Sequence, residues 1–192
     1  MRYPLKQLAG GRDNPRNVRE MRGLSGFGQI KSNLPAYNHA ASNRPFFVLT
    51  DLDVHDACPG GVWTQWMAGE SRHPNLLFRV AVKEVEAWLL ADRANLADFL
   101  EVPESLVPIA IEAVADPKLE IVAIARQSAS AEIRHAIVPP AGSSAEVGRS
   151  FDRKLIQFVR DYWDIDTACG YSRSLQRAVS AIQRFSFTPP PP

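Results

Sequence analysis

Two aspartates stand two positions apart at the end of an apolar run. Residues 46–50 (FFVLT) form that run, and Asp51 and Asp53 follow it. A short run rich in aromatic and β-branched residues predicts a buried strand of a parallel sheet, where residues two apart share a face. Two carboxylates that repel each other at the carboxyl end of a strand favour a cation between them, which indicates a Mg²⁺-type site. The alternative is structural, because aspartate is also favoured in turns and at helix N-caps.

A second pair of acids follows the next apolar run. Residues 76–82 (LLFRVAV) predict another buried strand, and Glu84 and Glu86 come directly after it, where the pattern changes to that of a helix. If the two strands are parallel, all four acids lie at one edge of the sheet. Positions two apart on a helix point about 200° apart, so only one of these glutamates is expected to face the site. Acids at a helix N-terminus also complement the helix dipole, which would explain them without any chemistry.

Four basic residues are candidates for contacting phosphate. Lys31 follows a glycine-rich segment, residues 23–28 (GLSGFG), and lies in the first turns of a predicted helix, where backbone N–H groups can bind an anion. This segment does not match a Walker A loop, and a flexible link would explain its glycines equally well. Arg79, Lys83 and Lys118 come from the segments that carry or follow Glu84 and Glu86, and they are the remaining candidates.

Charge is distributed unevenly along the 192 residues, although the net charge is only +1. Residues 1–45 carry eight basic and two acidic residues, residues 46–125 carry five and thirteen, and residues 126–192 carry nine and six. An acidic middle between basic ends is compatible with a metal site framed by a phosphate-binding surface, and solvated charged faces would give the same counts.

Length and composition predict one α/β domain. We expect residues 1–22 to be a basic arm or the remnant of a first strand, and residues 188–192 to be a disordered proline tail. Between them, residues 23–187 form the domain, and its C-terminal part, from about residue 119 to 187, is expected to be helical.

The sequence argues against several classes of protein. It contains no apolar run of the ~20 residues that a membrane span requires and no apolar signal-peptide segment, so we expect no membrane association and a cytoplasmic location. Cys58 and Cys169 show no zinc-type or disulfide-type spacing. The oligomeric state stays open, with a homo-oligomer among the alternatives.

Taken together, the motifs resemble an uncharacterised bacterial Toprim-like family related to the nuclease domains of OLD-type (overcoming lysogenisation defect) proteins. The resemblance covers roughly residues 23–185 and rests on FFVLTDLD, LLFRVAVKEVEAWLLAD, ADPK, and IVPPAGSSAEVG followed by two helices. It implies a Toprim-like (Rossmann-like), mostly parallel sheet flanked by helices, with a helical C-terminal portion. It also implies Mg²⁺ or Mn²⁺ as cofactor, cleavage of phosphodiesters in nucleic acid, and an ATPase partner in phage defence.

Residue roles follow from this resemblance. Asp51 and Asp53 match the Asp-x-Asp motif of Toprim enzymes and are implied metal ligands together with Glu84, and Glu86 completes the implied catalytic set. Toprim enzymes also use an earlier glutamate, in a strand that ends in Glu-Gly, and no such motif precedes Asp51. Either that strand lies outside this sequence, or Glu84 and Glu86 supply the charge, or the protein is an inactive scaffold that binds nucleic acid or a protein partner.

A second enzyme class fits part of the pattern. FFVLTDLDV is similar to the first motif of haloacid-dehalogenase-like phosphatases, in which the first aspartate is the nucleophile and the second the acid/base. That class also needs a late acidic pair after a strand. Asp164 and Asp166 are the late candidates, and they follow a predicted helix instead.

Overall fold

The computed structural model describes residues 27–52 and 58–189. The predicted arm at residues 1–22 and Asp53 therefore lie outside the described residues. Within them the chain forms two strands, nine α-helices and two 3-10 turns (Glu104–Leu106 and Ile111–Ala113). In chain order the strands and α-helices are α1 (Phe27–Ala40), β1 (Phe46–Asp51), α2 (Gly61–Met67), β2 (Leu76–Ala81), α3 (Val85–Leu90), α4 (Arg93–Leu100), α5 (Pro117–Ala125), α6 (Ala131–Ile137), α7 (Phe151–Asp161), α8 (Ile165–Tyr171) and α9 (Arg173–Gln183).

The two strands are parallel, as the sequence predicts. Their register pairs Phe46 with Leu76 at one end and Asp51 with Ala81 at the other. The backbone N–H of Leu52 donates to the carbonyl of Ala81, which carries the pairing past Asp51. Both strands therefore end at the same edge, and the segment that follows β2 starts beside the last residue of β1.

Each face of the sheet covers its own hydrophobic cluster. Alternate residues of a strand point to opposite faces. Val48 and Phe78 pack with α1 and α2 in the smaller cluster, through side chains such as Leu34 and Trp66. On the opposite face Ala81 belongs to the larger cluster, which helices α3 to α9 build.

The mixed α/β prediction is confirmed, but the sheet is small. In the described part of the chain it has only two strands. Residues 82–189 contain α-helices and no strand, because the apolar residues there recur at helical spacing. The helical C-terminal portion is therefore present, as α5 to α9.

One local prediction needs correction. The helix expected to run from residue 83 to residue 100 is two helices, α3 and α4, and the buried Asp92 stands between them. Its carboxylate accepts the backbone N–H of Asp164 at 2.7 Å and the side-chain amide of Asn95, which fixes the break. Helix α8 begins directly after Asp164. Residues 131–137, for which both helix and strand were considered, are helical.

The predicted disordered tail begins with an anchored residue. The backbone N–H of Thr188 donates to Asn75 Oδ1 at 2.8 Å, and Asn75 Nδ2 donates to the carbonyl of Thr188 at 2.7 Å. The same amide donates to the carbonyl of Ala41, and Asn75 is fully buried. Thr188 therefore belongs to the folded structure, at the amino-terminal end of β2, whereas residues 190–192 lie outside the described part.

None of the helices in residues 27–52 and 58–189 has the length and apolar character needed to cross a membrane.

Candidate functional site

Asp51 is the last residue of β1, and its carboxylate reaches across to the segment after β2. Asp51 Oδ1 accepts the backbone N–H of Val85, the first residue of α3, at 2.9 Å. Loss of solvent around the carboxyl group raises the pKa of Asp51, and the Val85 N–H opposes that shift. Glu84 raises this pKa further and Lys118 lowers it, so both charges lie close to Asp51.

The turn between β2 and α3 places Glu84 outside the helix. Lys83 has a φ of 68°, a left-handed conformation that is uncommon for a residue with a side chain. Glu84 then returns to extended backbone, with φ −142° and ψ 163°, and is the N-cap of α3. The assumption that both glutamates lie on one helix is therefore wrong, because Glu84 precedes α3 and Glu86 lies in its first turn.

Glu84 also touches a third segment, the start of α5. Its Oε2 accepts the backbone N–H of Lys118 at 3.3 Å, and its Oε1 lies 4.0 Å from Lys118 Nζ. Asp116 caps the same helix by accepting the N–H of Leu119 at 2.8 Å. The ADPK segment thus brings a lysine to the acids, although it lies more than 30 residues after them.

Glu86 is the most buried acid of the group, with 5% of its surface exposed. Burial raises the pKa of Glu86 to about 7. Its own backbone N–H and Lys118 act in the opposite direction, and Glu84 and Asp51 add to the rise. Near neutral pH this carboxyl group is therefore partly protonated and can both release and accept a proton.

We call Asp51, Glu84, Glu86 and Lys118 the acidic edge. It joins three carboxyl groups to one lysine at the carboxyl ends of the two strands. One oxygen of Asp51 and one of Glu84 accept a backbone N–H. Among the described residues no hydrogen bond reaches the second oxygen of either carboxylate. Asp51 Oδ2 can therefore accept a cation or a substrate hydroxyl, whereas Glu84 Oε1 already lies 4.0 Å from Lys118 Nζ.

The described part of the acidic edge does not by itself make a metal centre. No group of three or more His, Cys, Asp or Glu side chains within residues 27–52 and 58–189 is arranged to hold a metal ion. The ligand set predicted from the sequence includes Asp53, which lies outside those residues. Asp51 and Glu84 could supply two of the oxygens that Mg²⁺ prefers, and Mg²⁺ retains several waters.

Of the four predicted phosphate-binding residues, the structure brings Lys118 to the acids. Lys31 lies on the other side of the sheet, with Nζ 5.9 Å from the centre of the Trp66 ring. Arg79 Nη1 donates to the carbonyl of Phe78 at 2.7 Å. Lys83 adjoins Glu84 in sequence, but no hydrogen bond or ion pair among the described residues links its side chain to the acidic edge.

The late acidic pair required by the phosphatase alternative has a structural role instead. Asp164 is the N-cap of α8, and its Oδ1 accepts the backbone N–H of Thr167 at 2.7 Å. Its own N–H donates to Asp92. Asp166 follows in the first turn of the same helix.

Two arginines that the sequence analysis did not select lie near Arg79. Burial lowers the pKa of Arg79, and the positive charges of Arg72 and Arg184 lower it further. Arg72 precedes β2 and Arg184 follows α9, so no local motif could have joined them.

No family model matches the sequence, and comparison with curated proteins and with solved structures finds no match. The geometry of the acidic edge therefore has to carry any argument about function.

Proposed function

We propose that the protein cleaves phosphodiester bonds in nucleic acid with the help of Mg²⁺ or Mn²⁺, and that the reaction takes place at the acidic edge. The observation that carries the proposal is the grouping of Asp51, Glu84 and Glu86 with Lys118, four residues that come from three separate segments. Three carboxyl groups beside a single cation favour the binding of further positive charge. Their position beyond the carboxyl ends of parallel strands is where open α/β sheets bind ligands.

Each residue then has a distinct role. Asp51 and Glu84, with Asp53, would hold the cation, which supplies charge neutralisation on the phosphate and a hydroxide-like nucleophile when bound. Lys118 would contact a phosphate oxygen, because its ammonium group lies beside Glu84 and is half-exposed. Glu86, with a pKa of about 7, would accept or return a proton. The Toprim-like fold and an ATPase partner in phage defence are parts of this proposal that the sequence resemblance alone supports.

The test is cleavage of labelled single- and double-stranded DNA and RNA by the purified protein in Mg²⁺, in Mn²⁺ and in EDTA. Asp51→Asn and Glu84→Gln are the sharpest variants, because each keeps an oxygen that can accept the helix N–H and removes only the charge. We expect each to lower the rate by about a hundredfold or more with little change in stability. Glu146→Gln, at an exposed loop position, is the matched control and should cleave like the native protein.

Cleavage that is equal in EDTA, or equal in the Asp51→Asn variant, would remove the proposal. The phosphatase alternative predicts a different result, a phosphoryl group trapped on Asp51 after reaction with a small phosphate ester.

A second candidate function is a scaffold that binds nucleic acid or a protein without cleaving it. The observation that favours it is that Asp51 and Glu84 each accept the backbone N–H of a helix start, a role that would position both acids without catalysis. Binding of nucleic acid with no cleavage under any cation, and with unchanged binding in Asp51→Asn, would support the scaffold.

A further inference from the structure

Arg79 lies in the middle of β2, in register with Leu49 of β1. Its side chain is half-buried, and Nη1 donates to the carbonyl of Phe78 at 2.7 Å. Its Nε is buried and has no hydrogen-bond partner. A buried N–H without an acceptor is costly, and a guanidinium group has four further donors to satisfy. Arg79 is thus a strong donor that the described protein groups do not saturate.

The carbonyl that Arg79 uses lies on the outer side of β2. Phe46 and Leu52 of β1 donate to the carbonyls of Asn75 and Ala81, so the odd-numbered residues of β2 turn their backbone groups toward β1. Backbone groups alternate in direction along a strand, so those of Phe78 turn away from β1. The guanidinium group of Arg79 therefore lies at the strand edge that is not paired with β1.

The positive charges of two more arginines, Arg72 and Arg184, act on Arg79. The Arg72 guanidinium lies 5.9 Å from the centre of the Trp63 ring, and that ring packs edge-on against Phe78 at 5.6 Å. Arg184 is the C-cap of α9, which packs on β2. Arg72 and Arg184 are both exposed.

The described part of the chain offers these arginines no acidic partner. Within residues 27–52 and 58–189, none of the three forms an ion pair with a carboxylate. Like charges held together without a counter-ion oppose folding. Burial is the main cause of the lowered pKa of Arg79, and repulsion from Arg72 and Arg184 adds to it. Such a cluster gains most from an added anion.

We propose that Arg72, Arg79 and Arg184 form a binding site for a phosphate group, separate from the acidic edge. Arginine presents a planar fork of donors that matches two phosphate oxygens. In Arg79 the Nη2 group has no hydrogen-bond partner among the described residues and is not enclosed as Nε is, so it is the donor that a phosphate can reach. The Trp63 ring beneath Arg72 adds an aromatic surface, a combination with arginine that is common where single-stranded nucleic acid binds. The backbone of a nucleic acid strand is therefore the expected source of the phosphate, and a free phosphate compound is the other source of the same chemistry.

The experiment measures binding of a fluorescent single-stranded DNA of about 12 nucleotides by anisotropy, in EDTA so that no divalent cation takes part. The full-length protein is compared with Arg72→Gln, Arg79→Gln and Arg184→Gln. Arg177→Gln is the matched control, because it removes the same charge from an exposed position of α9. In parallel, thermal unfolding is followed with added inorganic phosphate, which distinguishes a free phosphate group from a nucleic acid strand.

We expect Arg79→Gln to weaken binding by about tenfold and to reduce the salt dependence of log K by about one, whereas Arg177→Gln changes neither. Arg72→Gln and Arg184→Gln alter exposed positions, so they provide the same test if Arg79→Gln folds poorly. If DNA does not bind but inorganic phosphate raises the melting temperature of the native protein and not of the three variants, the site stands with a free phosphate as its ligand. Equal DNA binding and equal phosphate response in all five proteins would overturn it.

The proposal does not rest on nuclease activity. The arginine variants are compared by binding in EDTA and the acidic-edge variants by cleavage in Mg²⁺ or Mn²⁺, so a failure of the arginine site and a failure of the acidic edge give different results.

Discussion

Replacement of Glu86 by glutamine is expected to stabilise the protein at alkaline pH and to leave it almost unchanged at acidic pH. Burial raises the pKa of Glu86 from 4.5 to about 7 in the folded state. Between these values the folded state holds a proton that the unfolded state has released. The free energy of unfolding therefore falls as the pH rises through this window.

The size of the effect follows from the same two pKa values. At pH well above 7 the native glutamate destabilises the fold by about 3 kcal/mol, because each pKa unit corresponds to about 1.4 kcal/mol. Glutamine has nearly the shape of the protonated acid and does not ionise. The stability gained by Glu86→Gln should therefore increase by about 2.5 kcal/mol between pH 5 and pH 8.

Urea denaturation at several pH values between 5 and 8 measures this difference directly. The exposed Glu146→Gln variant is the control, and we expect it to change the free energy of unfolding by less than about 0.5 kcal/mol. A difference between Glu86→Gln and the native protein that stays constant with pH would refute the reasoning. In that case Glu86 would ionise in the folded protein as it does in the unfolded chain, and its proposed proton-transfer role would lose its basis.

Three further perturbations test other parts of the structure. Lys118→Met removes a positive charge that lowers the pKa of Glu86, so NMR titration of labelled glutamate should show Glu86 titrating at a higher pH. An unchanged titration would show that Lys118 has no electrostatic effect on Glu86. Asp92→Ala leaves the backbone N–H of Asp164 and the amide of Asn95 without their acceptor and should cost about 1–3 kcal/mol in urea denaturation. Asn75→Ala should cost about 2–3 kcal/mol by the same measurement. Removal of residues 188–192 should cause a similar loss, whereas removal of residues 189–192 should not, because Thr188 carries the hydrogen bonds; equal losses in the two truncations would contradict that assignment.

The strands could be predicted because their sequence signal is local. Residues 46–51 and 76–81 are apolar runs that few other structures accommodate, and their parallel pairing brings Asp51 close to the start of α3. The convergence of the two acid-bearing segments follows from that pairing alone. The part of the acidic edge that depends on strand ends was therefore accessible from the sequence.

The remaining parts depend on backbone geometry and on distant segments. The left-handed conformation of Lys83 moves Glu84 out of the helix, and the residue types give no sign of it. The proximity of Lys118 to Glu84 results from how α5 packs beside α3. Three arginines, Arg72, Arg79 and Arg184, are likewise grouped only because α9 packs on β2. The spacing of residues along the sequence does not predict that packing.

The hydrogen bonds between Asn75 and Thr188 join residues 113 positions apart. A contact of this separation forms only after a large loop has closed, and closure of long loops slows folding. During synthesis the side-chain amide of Asn75 can form these two hydrogen bonds only after almost the whole helical portion has been made. Synthesis proceeds at about 5–20 residues per second, so this delay lasts several seconds. The hydrogen bonds that complete the amino-terminal end of the sheet can therefore form only some seconds after Asn75 itself has been made.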